Sequence, residues 1–180
     1  VTTIAPTGTI SIIANSCSSG IEPLFAISYV REVLEGTRLL ETNNLFEELA
    51  RERKFYSPKL LNEISKYGSV QNIKEVPKDL KNLFVTALDI DPVWHIKMQA
   101  AFQKHVENGV SKTINLPENA TKEDIKKAYL MAYKTGCKGI TVFRYGSKGK
   151  QVLYFEEGYE RRVKVASEFS GGCPGVECGN

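Results

Sequence analysis

The chain has 180 residues, of which 42% are hydrophobic and 25% are charged. This composition excludes a disordered chain, and the absence of any apolar run near the ~18 residues that span a bilayer excludes a membrane protein. The formal net charge of +3 comes from scattered basic residues, so it gives no support for nucleic-acid binding.

The first segment, residues 1–11, reads VTTIAPTGTIS, and its β-branched residues predict a strand that ends in a loop. Because the chain opens inside this strand without an initiator methionine, we expect it to be part of a longer chain. The loop has two explanations. A glycine with flanking hydroxyls and free backbone amides suits an anion, whereas a plain strand-to-helix turn with threonine and serine caps is more common. The loop lacks the lysine of a P-loop, so nucleoside triphosphate hydrolysis gets no support.

The middle of the chain is predicted to be helical. Residues 21–34 are apolar with an ambiguous period, and helical patterns then follow over residues 42–109. Helices are predicted after Asn43 or Asn44, after Ser57, over residues 78–88 and after Asp91, each with apolar residues on one face. In the last of these helices the predicted inward residues are Trp94, Met98, Ala101 and Phe102, with Gly109 as the stop. We interpret residues 42–109 as a helical insertion between two β regions.

A strand, a helix and a second strand are predicted after Gly109. The strands are 110–116 and 139–144, and the helix, capped by Thr121, covers 122–135. Its predicted inward residues are Ile125, Ala128, Tyr129 and Ala132. Such a βαβ unit requires parallel pairing and indicates the α/β class. A terminal hairpin over 151–169 and a glycine-rich, flexible tail over 170–180 complete the pattern.

The four cysteines are too few for a disulfide-stapled secreted domain. Cys173 and Cys178 lie together on the glycine-rich tail, where a flexible dithiol could serve as a redox shuttle or could supply half of a zinc site. Cys17 and Cys137 are solitary, and we interpret them as small core residues. His95 and His105 share a helix but lie about 80° apart around its axis, so they are interpreted as packing or surface residues. No metal site is predicted within the chain.

Four motifs resemble a known family when they are taken together and in order. They are APTGTIS, SCSSGIEPLFA, WHIKMQAAFQKHVENGVSKTINLPENAT and AYKTGCKGITVFRYGS. This series resembles the C-terminal part of the catalytic chain of adenosylcobalamin-dependent (class II) ribonucleotide reductases. The segment ITVFR lacks the paired tyrosines that class I reductases have in the corresponding strand, which favours class II.

The resemblance implies a fold. Residues 1–150 would form the C-terminal portion of a ten-stranded α/β barrel, with barrel strands at Thr2–Ile4, Ser111–Leu116 and Ile140–Arg144. The residues 42–109 would be inserted in this barrel portion, and the tail over 170–180 would be redox-active.

The resemblance also implies roles for particular residues. The loop would hold the diphosphate of the substrate through Thr7, Gly8, Thr9, Ile10 and Ser11. Cys173 and Cys178 would form the dithiol that re-reduces an active-site disulfide after each turnover. The remaining matched residues lie near the family's active site without an assigned role, and they are Ser111, Lys112, Thr113 and Asn115. Neither Cys17 nor Cys137 falls in the family's radical-cysteine motif.

The activity that the resemblance implies is reduction of a ribonucleotide at its 2′ position by thiyl-radical chemistry, with adenosylcobalamin as cofactor in the complete enzyme. The implied partners are the remainder of the reductase chain, a thioredoxin-like reductant and a second copy of the enzyme, in the cytoplasm and without nucleic acid or membrane. Two other functions stay open from the residues alone. They are a stand-alone phosphate-binding module and a small zinc-binding interaction domain.

Overall fold

A computed structural model describes residues 1–32 and 38–147 of the chain. Within these ranges it has six helices and four strands. In chain order they are α1 (Gly8–Ile13), β1 (Ser28–Glu32), β2 (Arg38–Thr42), α2 (Asn44–Glu52), α3 (Pro58–Tyr67), α4 (Lys78–Leu83), α5 (Pro92–Gln103), β3 (Thr113–Leu116), α6 (Lys122–Lys134) and β4 (Thr141–Arg144). The hairpin predicted over 151–169 and the tail over 170–180 lie outside the described residues.

The predicted starts of the helices are confirmed by their caps. The side chain of Asn43 accepts a hydrogen bond from the Phe46 amide, and that of Ser57 accepts one from Leu60. Asp91 caps α5 in the same way, and Thr121 forms a reciprocal capping box with Asp124 at the start of α6. Each cap satisfies an amide that a helix leaves unpaired in its first turn, so these starts follow from local chemistry.

Helices α2, α3 and α4 and the segments around them enclose the larger of two hydrophobic clusters. Its buried members are Ile27, Phe46, Ala50, Leu60, Leu61, Ile64, Val70, Ile73, Val76, Leu80 and Phe84. Strands β1 and β2 pair in antiparallel register beside it, from Ser28 opposite Thr42 to Glu32 opposite Arg38. The sequence pattern missed this hairpin, because residues 21–34 have no clear period.

The predicted βαβ unit is confirmed. Strands β3 and β4 pair in parallel, with Thr113 opposite Thr141 and Leu116 opposite Arg144, and α6 connects them. The second hydrophobic cluster lies between this unit and α5 and consists of Ile96, Ile114, Ala128 and Ala132. Residues 2–4 make a single parallel bridge, between Ile4 and Val110, and β3 begins at Thr113 rather than at 110 or 111.

The predicted inward face of α5 is wrong. Trp94, Met98 and Phe102 are 61%, 48% and 37% exposed, and Ala101 is exposed as well. The buried residues are His95, Ile96, Gln99, Ala100 and Gln103. The reason is hydrogen bonding: the Gln99 amide donates to the carbonyls of Gly139 and Val110, and the Gln103 amide donates to Asn108. The core side of α5 must satisfy backbone groups of neighbouring loops, which apolar side chains cannot do.

Smaller expectations also need correction. Helix α5 ends at Gln103, before the predicted stop at Gly109, and α4 ends at Leu83 rather than near residue 88. Tyr129 is 52% exposed, so it is not an inward residue of α6. Cys17 is exposed and is therefore no core residue, whereas Cys137 lies half-buried beside the second cluster. In the part of the chain that the structure describes, no helix has both the length and the apolar character of a membrane span.

Candidate functional site

The loop after residue 4 is joined to the rest of the molecule by a short parallel pairing. The Asn108 amide donates to Thr2 O at 2.9 Å, and the Ser111 amide donates to Ile4 O at 2.9 Å. The Thr3 hydroxyl adds a bond of 2.7 Å to Gly109 O. Residues 2–4 therefore run alongside 108–111, and the chain leaves this pairing directly into the loop.

The loop and the first turn of α1 form an elbow, which we define as residues 5–11. Thr7 has left-handed backbone angles, φ 55° and ψ 23°, and α1 begins immediately after it. Such a reversal points successive amide groups to the same side. The Ser11 amide and hydroxyl both donate to Thr7 O, at 2.9 and 2.7 Å. Among the described residues, the amides of Gly8, Thr9 and Ile10 have no acceptor.

The elbow is open to solvent. None of the residues of α1 is buried, and Ile10, Ile12 and Ile13 are 67%, 70% and 80% exposed. The elbow is thus neither covered by packed side chains nor saturated by internal hydrogen bonds. Its three unpaired amides and the Thr7 and Thr9 hydroxyls can therefore donate to a ligand with several acceptor oxygens, whereas the Ser11 hydroxyl already donates to Thr7 O.

The chain returns from α1 through residues 14–22, which we call the return loop. The Ser16 amide donates to Ser11 O at 2.9 Å. Gly20 has a φ of +55°, and a Cβ placed on it would lie 3.0 Å from Ala5 O and 3.4 Å from Pro6 O. The return loop therefore lies in direct backbone contact with the elbow at a position that only glycine can occupy without displacing it.

The return loop ends in an ion pair between the half-buried Glu22 and the buried Lys112. The Glu22 carboxylate accepts from Lys112 Nζ at 2.6 Å through Oε2 and from the Thr113 amide at 2.5 Å through Oε1. The Lys112 side chain is only 2% exposed, and its ammonium also lies 3.2 Å from His95 Nδ1. We call Glu22, Lys112 and His95 the buried cluster. It connects three segments that are distant in sequence.

The hydrogen bonds of His95 determine which ring nitrogen carries the proton. Nε2 lies 2.9 Å from Ala87 O, which can only accept, so Nε2 holds the hydrogen. Nδ1 is then an acceptor for the Lys112 ammonium. Burial lowers the pKa of His95 below its ordinary value of 6.5, and the Lys112 charge lowers it further, against raising effects of the Ala87 bond, Glu22 and Asp91. The imidazole is therefore neutral at pH 7.

This lowered pKa of His95 predicts a pH effect on stability. Below about pH 6.5 the unfolded chain binds a proton on this histidine that the folded chain does not, so the free energy of unfolding falls as the pH falls. We expect urea denaturation between pH 7 and 5 to give a shallower loss of stability for His95→Gln than for the unsubstituted chain. The exposed His105→Gln is the control and keeps the original profile. Identical profiles for both variants would contradict the prediction.

Three of the residues predicted to lie near an active site contact Ile4, just before the elbow, or Glu22, at the end of the return loop. The Ser111 amide bonds Ile4, Lys112 and Thr113 bind Glu22, and the buried Asn115 donates to Thr113 O at 3.4 Å. The structure thus brings Ser111, Lys112 and Thr113 together with the elbow and its return loop. Cys173 and Cys178 lie outside the described residues.

Sequence reasoning did not single out Glu22, and it interpreted His95 only as a packing or surface residue. The signals were weak. Glu22 is the one acidic residue between Val1 and Glu32, and it follows a loop that is otherwise small and polar. Its partner Lys112 lies 90 residues further along the chain, a separation at which no local pattern can connect the two.

A second concave feature is less suited to an anion. An open groove of about 520 Å³ lies between α2 and the segment 83–85, lined by Pro23, Leu24, Leu45, Leu49 and Leu83. Its polar lining includes the carboxylates of Glu48 and Glu52, which repel a negatively charged ligand. Within the described ranges no group of three or more histidine, cysteine or acidic residues could hold a metal ion.

Comparison with known proteins gives a consistent result. Residues 1–143 match the family described as "Ribonucleotide reductase, barrel domain". A vitamin B12-dependent ribonucleoside-diphosphate reductase of Mycobacterium tuberculosis H37Rv is 48% identical over 178 residues, which cover 99% of this chain. One of Thermoplasma acidophilum is 56% identical over 152 residues, 84% of this chain. These matches cover 25% and 20% of the two reductases, so the chain spans about a quarter of their length or less.

A solved structure also matches. The class Id ribonucleotide reductase alpha subunit of Actinobacillus ureae superposes with a TM-score of 0.64 and 25% sequence identity. The superposition covers 79% of this chain and 26% of that subunit. The expected α/β barrel fold is thereby confirmed.

Proposed function

The chain belongs to the ribonucleotide reductase barrel-domain family, and from this we propose that it forms part of the catalytic chain of a vitamin B12-dependent ribonucleotide reductase. In this proposal the elbow, through Thr7, Gly8, Thr9, Ile10 and Ser11, holds the diphosphate of the ribonucleotide substrate. Cys173 and Cys178 carry electrons from a thioredoxin-like reductant to the active site. The reaction takes place in the cytoplasm, where thiols remain reduced.

One observation carries the phosphate assignment. The amides of Gly8, Thr9 and Ile10 have no acceptor among the described residues, on an elbow that solvent reaches. Phosphate oxygens are strong acceptors, and a set of converging amides binds them without a cationic side chain. Lys112, just before β3, is a buried cation, but Glu22 neutralises its charge and the side chain is held away from solvent. The elbow therefore relies on amides and hydroxyls.

The chemistry at the sugar belongs to the complete enzyme. When bound, adenosylcobalamin supplies the radical that starts ribonucleotide reduction. His95 does not fit a role as a ligand of its cobalt, because both ring nitrogens are engaged, by Ala87 and by Lys112. The contribution of the described residues is to bind and orient the substrate by its phosphates.

The test is to place a negative charge at the elbow. Thr9 is exposed in the first turn of α1, where a carboxylate stabilises a helix by about 0.3–1 kcal/mol but repels a phosphate by about 1–4 kcal/mol at a distance of a few ångström. In the complete reductase we expect Thr9→Glu to raise the KM for a ribonucleoside diphosphate about tenfold or more, with kcat nearly unchanged. Steady-state kinetics give both values.

Thr9→Gln is the matched control, since it has the size of glutamate without the charge. We expect its KM to stay near that of the unsubstituted enzyme. Equal KM values for the Glu and Gln variants would refute the phosphate assignment. Nuclear magnetic resonance titration of the 180-residue chain with inorganic pyrophosphate adds a direct readout, because the amide signals of Gly8, Thr9 and Ile10 should shift first. The alternative function, a stand-alone phosphate-binding module, predicts that the chain binds phosphate without any requirement for the remaining reductase chain.

A further inference from the structure

The elbow and the return loop lack a hydrophobic core of their own. From Val1 to Phe25 every residue is exposed or half-buried, and buried residues begin only at Ala26. Burial of apolar side chains therefore does not hold these residues in place. Among the described residues, their position comes from polar backbone contacts within the two loops and from the polar attachments at their two ends.

Both attachments are made to the same segment, residues 111–113. At the start of the elbow, Ile4 is bound by the backbone of Ser111. At the end of the return loop, Glu22 is bound by the Lys112 ammonium and the Thr113 amide. Three consecutive residues thus hold both ends of the 17-residue segment 5–21, and the second end depends on a charge. Gly20, two residues before Glu22, lies so close to the elbow that a Cβ placed on it would come within 3.0 Å of Ala5 O and 3.4 Å of Pro6 O.

We propose that Glu22, Lys112 and His95 act as positioning residues, which hold the return loop against the elbow and thereby keep the Gly8–Ile10 amides in the arrangement that binds phosphate. This inference rests on the proposed function of the elbow. Lys112 and His95 act through Glu22, and Glu22 acts through the backbone contact at Gly20. None of the three touches the substrate.

The chemistry of the buried cluster supports a positioning role. An ammonium that is 98% buried needs partners for its charge and its hydrogens, and here they are Glu22 and the neutral His95. The protonated Nε2 of His95 is itself bound to Ala87, which fixes the ring with Nδ1 towards Lys112. The imidazole thus orients the ammonium, and the ammonium orients the carboxylate. Such a chain of bonds permits one position of Glu22.

A different role for Lys112, as a direct phosphate ligand, predicts the opposite response. If Lys112 bound the substrate, removing the Glu22 charge would release it for the phosphate and lower the KM. If Lys112 positions Glu22, removing that charge breaks the attachment of the return loop and raises the KM. The sign of the change in the Glu22→Gln variant therefore separates the two roles.

The experiment uses the complete reductase with cytidine diphosphate as substrate. We expect Glu22→Gln and Lys112→Met each to raise the KM about tenfold while kcat changes less than about threefold, since the reacting groups are untouched. Glu47→Gln is the matched control. Glu47 is about as exposed as Glu22 and also forms an ion pair, but its partner Arg51 is 56% exposed where Lys112 is 2% exposed. The Glu47→Gln variant should therefore behave as the unsubstituted enzyme.

Hydrogen exchange measures the position of the elbow without substrate. In Glu22→Gln we expect faster exchange of the bonded Ser11 and Ser16 amides, with unchanged exchange in α3. If Glu22→Gln unfolds the chain because it leaves Lys112 charged and unpaired, the double variant Glu22→Gln, Lys112→Met removes both charges. We expect this double variant to fold and to show the raised KM, because the attachment remains broken.

The outcomes separate this inference from the one on which it rests. A raised KM for Thr9→Glu together with normal KM and normal exchange for Glu22→Gln overturns the positioning role and leaves the phosphate elbow intact. A lowered KM for Glu22→Gln also overturns it. A normal KM for Thr9→Glu refutes the phosphate elbow. In that case, faster exchange in Glu22→Gln still supports the attachment of the return loop by Glu22. Unchanged exchange in Glu22→Gln overturns this attachment as well.

Discussion

Replacing Phe46 by alanine is expected to lower the free energy of unfolding by about 3–5 kcal/mol, which is the usual cost of removing a large aromatic side chain from a core. Phe46 is 0% exposed at the centre of the larger hydrophobic cluster. Its ring meets those of Phe84 and Phe55 edge to face, with centroids 5.2 and 6.3 Å away. Alanine would remove both ring contacts and leave a cavity that the surrounding helices cannot fill completely.

The adjacent Leu45 provides the control for this prediction. It lies on the same helix, is 54% exposed, and its replacement by alanine should cost less than about 1 kcal/mol. Urea denaturation at pH 7 measures both variants against the unsubstituted chain. A loss below about 1 kcal/mol for Phe46→Ala would mean that helices α2 to α4 do not enclose this cluster in solution. Since domains are stable by only about 5–15 kcal/mol, the expected loss approaches complete unfolding.

Replacing Cys173 and Cys178 by serine is expected to stop repeated turnover of the complete reductase with a thioredoxin-like reductant. On the proposed function, each turnover converts a dithiol of the active site into a disulfide, and the tail dithiol passes two electrons to it by thiol–disulfide exchange. Without the tail thiols the disulfide persists, so product formation should end after about one equivalent per active site. Product measured against enzyme concentration gives this stoichiometry.

A small dithiol such as dithiothreitol separates loss of the shuttle from loss of the active site. It can reach a disulfide that a protein reductant cannot, so we expect the double variant to keep much of its turnover with it. Cys137→Ser is the control because that thiol is solitary and should leave turnover with either reductant unchanged. Full turnover of the double variant with thioredoxin would eliminate the shuttle. Stoichiometric zinc lost in the same variant would favour the interaction-domain alternative.

The start of each long helix could be predicted from the residues alone. Asn43, Ser57 and Thr121 each accept from an amide three residues later, and Asp91 accepts from one two residues later. A cap therefore involves only a few neighbouring residues, which a local pattern can identify. The parallel βαβ unit was predictable for a similar reason, since strand–helix–strand spacing permits few connections.

The inward face of α5 could not be predicted in this way. Periodicity identified Trp94, Met98 and Phe102 as an apolar stripe, yet these residues face outward and the glutamines at 99 and 103 face inward. The choice depends on the carbonyl groups of Val110, Asn108 and Gly139, which come from other segments and need donors. Apolar periodicity contains no information about such backbone groups.

At the candidate site, too, the local sequence and the tertiary structure determined different features of the elbow. Its glycine and hydroxyl residues are contiguous, so the local sequence made the loop a candidate for an anion site beside a plain strand-to-helix turn, and the family resemblance implied the phosphate role of residues 7–11. How the elbow is held became visible only in the folded chain, where Glu22 meets a lysine 90 residues away beside a neutral histidine. The Lys112 ammonium requires these partners because it is removed from water, and that removal is a property of the packed structure rather than of either segment.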